Sequence, residues 1–259
     1  PISGGGPIVG WHGGESDGSC RKSRCRLSPG SRGGSCHGSC LGSTRKGTEM
    51  TSERRLILAS AVLVVPLVVS GLHPYDRATW LMEVLPVIIA LPILWASYRR
   101  HPLTGLAYAL IFVHALVLML GGAYTYARVP LGFALADLLE LTRNPYDKIG
   151  HFCQGFIPAI ITREILLRGE FVRRGRMLGF LVLCTVLAIS ACYEFIEWGA
   201  AVALGQGADE FLGTQGDPWD TQSDMLFALI GGATALAFLS RLHDRQLARR
   251  FPVSDGDGS

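Results

Sequence analysis

The sequence is short of charge. Charged residues make up 17% of its 259 residues and hydrophobic ones 49%, whereas soluble domains average about 25% charged. A mean hydropathy of +0.31 accompanies the deficit and points towards lipid. Basic residues fall in short clusters between apolar runs and leave a net charge of only +3. The basic face or stripe that nucleic acid demands is missing, so no nucleic-acid partner is expected. No G-x-S-x-G, H-E-x-x-H, P-loop or dinucleotide fingerprint occurs. Of the seven cysteines, none sits where an outer redox pair would need it. Cys20, Cys25, Cys36 and Cys40 lie in a polar tail and lack the C-x2-C knuckles of a zinc motif. Cys153, Cys184 and Cys192 lie in apolar runs, where cysteine acts as a small hydrophobe.

Residues 1–49 are Gly, Ser, Arg and Cys with almost nothing to bury, which predicts a disordered tail. Met50 directly precedes TSERRLILASAV and is the expected natural start, with residues 1–49 non-native. From Met50 onwards, long apolar runs dominate the chain. A spanning helix needs about 20 mostly apolar residues, and six segments qualify: 56–72, 79–97, 103–126, 149–168, 177–199 and 222–240. The expected fold is therefore all-α and polytopic, a six-helix transmembrane domain over 50–245 with a polar C-terminal tail at 246–259. The connecting segment 127–144 is too short and polar to span, and its leucines share one helical face, predicting a helix lying in the outer interface.

Basic residues orient the spans. Arg54, Arg55, Arg99, Arg100, Arg163, Arg168, Arg173, Arg174, Arg176, Arg241, Arg245, Arg249 and Arg250 number 13 on one side, against 4 on the other (Arg77, Arg128, Arg143 and Lys148). By the positive-inside rule both termini are cytoplasmic, with lipid surrounding the spans.

That topology places one unusual stretch on the outer side. GTQGDPWDTQSDM, residues 213–225, carries three aspartates and no Lys or Arg. Other ionisable groups fall at its depth. Asp147 and His151 are four apart at the start of the fourth span, behind Asn144 as N-cap and Pro145 as first helical residue. Glu194 and Glu197 are three apart near the outer end of the fifth, and Asp220 and Asp224 four apart at the start of the sixth. Ionisable groups within spans face a bundle interior or aqueous cavity and mark function. Carboxylates gathered together repel, and a divalent cation would resolve the conflict, with imidazole shifting preference towards Mn²⁺, Zn²⁺ or Fe²⁺. The expected metal ligands are thus Asp147, His151, Glu194, Glu197, Asp220 and Asp224, and the expected catalytic groups Glu194, Glu197 and Asp224. Lys148 and Arg143 are the competing, purely protein counter-charges, and each aspartate alone could be a helix cap. His114, in mid-span, reads as a buried hydrogen-bonder, and Gly231-Gly232 as close helix packing.

RNPYDKIGHFCQGFIPA, the RE-x-x-x-R of Arg163, Glu164 and Arg168, then YEFIEW and FLGTQGDPWDTQSDM, resemble the YjdF-like family of bacterial inner-membrane proteins over about residues 52–245. The resemblance implies location and topology and gives no reaction. More distantly, D-K-x-x-H-F with an Asp-led last span is similar to the VanZ-like membrane family, although Ala228 stands where that pattern has Asn. Three functions are compatible: a metal-assisted enzyme acting on a lipid-linked or envelope substrate, an ion-coupled transporter, or a non-catalytic scaffold or sensor. A transporter of six spans without inverted repeats would require a homodimer, and it would need a polar lining in the cytoplasmic half, where little beyond His114 is expected.

Overall fold

The computed structural model describes residues 52–204 and 215–251. Expectations for the tail 1–49, its cysteines, Met50 and most of the C-terminal tail lie outside the described residues. Seven helices are present among them: α1 (Ser52–Leu72), α2 (Arg77–Tyr98), α3 (Gly105–Ala123), α4 (Pro130–Leu139), α5 (Tyr146–Arg168), α6 (Arg176–Leu204) and α7 (Asp220–Arg250), with no strand. By length and composition α2, α3, α6 and α7 can cross a membrane, and α1 supplies the shorter apolar run Leu56–Leu72. Helix α5 is long enough at 23 residues but carries Asp147, Lys148, Arg163, Glu164 and Arg168. Each expected span thus falls on a helix; α7 runs on to Arg250, ten residues beyond the apolar window that ends at 240.

Such a polar helix survives because it is central. α5 packs against α3, α6 and α7, and its ionic side chains find partners there. Large apolar side chains are displaced outwards instead. Val65, Val69, Phe195 and Phe238 are 64%, 61%, 70% and 77% exposed, an arrangement suited to lipid and costly in water. α1 and α2 form an antiparallel hairpin stitched by indole donors. Trp80 Nε1 donates to Ser70 Oγ at 3.0 Å and Trp95 Nε1 to Ser60 Oγ at 3.2 Å. At the turn, Asp76 caps α2 by accepting the Thr79 N–H at 2.7 Å.

α5 and α7 run parallel. The pairing offset is 76 residues at Lys148–Asp224 and 79 at Glu164–His243, so the two helices stay in step from end to end. Small residues permit the approach. A Cβ on Gly155 would overlap the Ala228 carbonyl, and one on Gly231 the Phe152 carbonyl, which is the close packing expected of Gly231.

Two expectations need correcting. Asn144 is not the N-cap of α5; Pro145 holds that position with no side-chain cap bond. Asn144 is buried one residue earlier, where its Oδ1 accepts from Tyr146 N and its Nδ2 donates to the Val129 carbonyl. It ties the start of α5 to α4. The face that α4 buries is not leucine but Gly132 and Ala136, while Leu131, Leu138 and Leu139 point away from the bundle. His114 is the second correction, since its Nε2 is buried without a hydrogen-bond partner.

Candidate functional site

The first turns of α5 and α7, the last turns of α6 and the upper part of α2 meet at one end of the bundle. The spacing of four in Asp147/His151 and in Asp220/Asp224 turns each pair onto one helix face, and the parallel register sets those faces against each other. His151 Nε2 lies 3.5 Å from Asp147 Oδ1 and 3.8 Å from Asp224 Oδ1. Its Nδ1 lies 3.0 Å from Gln154 Oε1 and 3.9 Å from Glu194 Oε1. One donor atom each from Asp147, His151 and Asp224 can be enclosed within 4.8 Å of one another, and all three residues are buried.

Not every expected ligand joins this group. Asp220 Oδ1 is taken by Arg143 Nη2 at 2.6 Å and Lys148 Nζ at 2.7 Å. Glu197 is half-buried and outside the three-residue group. Asp217 pairs with Arg143 at 3.0 Å. The two competing cations are therefore real components of the site. Lys148 is the pivotal one, bridging Asp224 at 2.6 Å and Asp220 at 2.7 Å with Asp147 Oδ2 at 3.6 Å.

Two buried carboxylate oxygens are without hydrogen-bond partners among the described residues: Asp147 Oδ2 and Glu194 Oε1. Leaving such atoms bare costs about 1–3 kcal/mol each, more for charged groups. Both border the His151 cluster. Glu83 lies at this depth by its sequence position but was not among the expected ligands. It is buried on α2, accepts a 2.6 Å hydrogen bond from Tyr193 of α6, and closes the acidic layer from the side opposite α7. Lys148 carries its own signal, being the sole lysine of residues 50–259.

Below this layer the Gly155–Ala228 and Gly231–Phe152 backbones touch, sealing α5 to α7 within about one turn of His151. The opposite end of the bundle holds a second buried polar layer, contrary to the expectation of little polarity there. Glu164 and His243 are both completely buried. Glu164 accepts from Thr104 N at 2.9 Å, Thr104 Oγ1 at 2.7 Å and Arg168 at 3.2 Å, and lies 3.1 Å from His243 Nε2. Arg163 reaches His243 Nδ1 at 2.9 Å and Asp244 at 2.7 Å, and Arg174 also pairs with Asp244. Because Arg163 can only donate, His243 Nδ1 accepts and its Nε2–H donates to Glu164.

Residues 55–245 match the family described as "Predicted membrane protein (DUF2238)". The chain belongs to this family. It is 58% identical over 203 residues to the inner membrane protein YjdF of Escherichia coli (strain K12), an alignment covering 78% of this chain and 97% of that protein. No solved structure matches. Family membership, the relative's location and the apolar helices together make this a multi-pass integral protein of the bacterial inner membrane, in contact with the lipid bilayer.

Proposed function

We propose that the acidic end of the bundle is a divalent-cation site of a membrane-embedded enzyme acting on a lipid-linked or envelope substrate, facing the periplasm with both chain termini cytoplasmic. The carrying observation is the enclosed Asp147–His151–Asp224 group, with Asp147 Oδ2 and the neighbouring Glu194 Oε1 buried and without a hydrogen bond among the described residues. Buried charges persist when paired or when coordinating metal, and one imidazole with two carboxylates suits Mn²⁺, Zn²⁺ or Fe²⁺. A bound cation would polarise a substrate oxygen and lower the pKa of a water. Glu194, adjacent to His151, would take the proton released, with Glu197 and Glu83 as further carboxyl groups of the same layer. A carrier reading has the second polar layer at Glu164 and His243 on its side, but that layer is saturated by its own hydrogen bonds and α5 and α7 are in backbone contact between the two.

A second reading has its own observation. Lys148 already bridges Asp220 and Asp224, so the layer could be an ion-pair lock that only fixes helix packing. Metal analysis of full-length protein purified in detergent separates the two. The enzyme reading requires about one equivalent of transition metal, lost in His151→Ala and Asp224→Asn variants that remain folded. A metal-free wild type that takes up no Mn²⁺ or Zn²⁺ on titration leaves the lock standing.

A further inference from the structure

Beside the acidic layer, the connection from α4 and the first turns of α5 and α7 border an open groove of about 540 Å³. Its wall is apolar, made by Leu141, Ile149, Phe152 and Phe227, and its rim carries Arg143 and Lys148 with Asp217 as the single acid among the described residues. An apolar slot with two cations at one end suits an amphiphile whose anionic head exchanges for the Asp217 and Asp220 carboxylates that hold those cations, and the volume falls in the range of ligand sites, about 300–1,000 Å³. Arginine is suited to a phosphate's paired oxygens, and lysine to its point charge.

We propose that this groove binds a phosphate-bearing lipid, its chain lying along Ile149, Phe152 and Phe227 and its phosphate between Arg143 and Lys148. The inference names the substrate class for the cation site and rests on that reading for its chemical purpose. Lys148 belongs to both, lining the groove and holding Asp224 at 2.6 Å. A cation that takes the Asp224 carboxylate leaves the ammonium with Asp220, at 2.7 Å, as its one remaining close partner, and the phosphate replaces that carboxylate. Cation and lipid therefore favour each other's binding, and that coupling must be equal in both directions.

The experiment measures binding of a short-chain fluorescent phosphatidate to the full chain in detergent, with the matching phosphatidylcholine and inorganic phosphate as competitors, with and without Mn²⁺. Phosphatidate should bind about tenfold more tightly than the choline lipid, and Mn²⁺ should tighten it further. Arg143→Gln should weaken it about tenfold, and Ile149→Trp, whose ring would fill the slot, should abolish it. If Arg143→Gln cannot be recovered folded, Ile149→Trp decides alone. Equal binding of the two lipids, or full competition by inorganic phosphate at equal concentration, overturns the groove. Phosphatidate preference with no Mn²⁺ uptake keeps the groove and removes the cation centre; Mn²⁺ uptake without lipid preference does the reverse.

Discussion

The two polar layers between α5 and α7 are built from similar residues and could hardly differ more in completeness. At the Glu164 end both carboxylate oxygens are engaged, His243 uses both ring nitrogens, and the arginines reach acids or carbonyls. At the Asp147 end, six carboxylates (Glu83, Asp147, Glu194, Glu197, Asp220 and Asp224) share Lys148, Arg143 and one histidine, and two oxygens lack a hydrogen bond. A saturated buried network fixes a packing. An unsaturated one stores free energy that a ligand can release, which is why strained or underpaired groups collect at functional sites. Burial and charge are common to both layers and so do not mark a site; the shortage of partners does.

Substitutions should therefore act with opposite sign at the two ends. Glu164→Ala is expected to have the largest effect, a loss of about 3–5 kcal/mol, because it strands Arg168 and His243 in the interior; thermal unfolding in detergent measures it. Gly155→Val comes next, at roughly 1–3 kcal/mol or more, since its Cβ must push against the Ala228 backbone. At the acidic end, Glu194→Gln should raise the melting temperature, a gain on the order of 1 kcal/mol, by removing one of several repelling carboxylates. A fall in stability there would erase the distinction between the layers. The smallest effect concerns neither layer. Asp76→Ala should cost about 1 kcal/mol through the lost cap. The Thr79 N–H holds the Asp76 carboxyl below the usual aspartate range. Its stabilisation is thus complete above that range and fades as pH falls through the depressed value, so wild type and variant should converge in melting scans at strongly acidic pH.

Much of this fold was legible in one sequence. Long apolar runs specify spans directly, and the i, i+4 pairs at 147/151 and 220/224 fixed which faces carried charge. The Glu164–His243 layer was not legible. Its members sit among the arginines that flank spans, where charge is read as an interfacial flank, and their pairings join residues 79 to 81 apart in the chain. The capping position read for Asn144 was off by one residue, since Pro145 is the N-cap, yet the Asn144 Oδ1 still accepts from Tyr146 N at the start of α5. Asp220 shows the same limit as the Glu164–His243 layer. Its spacing qualified it as a ligand, but Arg143, supplied by the preceding connection, reaches it first.

The parallel pairing of α5 with α7 has a consequence for how the protein is made. α5 emerges from the ribosome well before its partner, bearing charged groups that lipid rejects, Asp147, Lys148, Arg163 and Glu164 among them. The complements to Lys148 on α7 are encoded 72 and 76 residues downstream, at Asp220 and Asp224. A chain stopped before α7 would therefore hold α5 by its contacts with α3 and α6 alone, with Lys148 and Arg163 lacking the acids that α7 supplies.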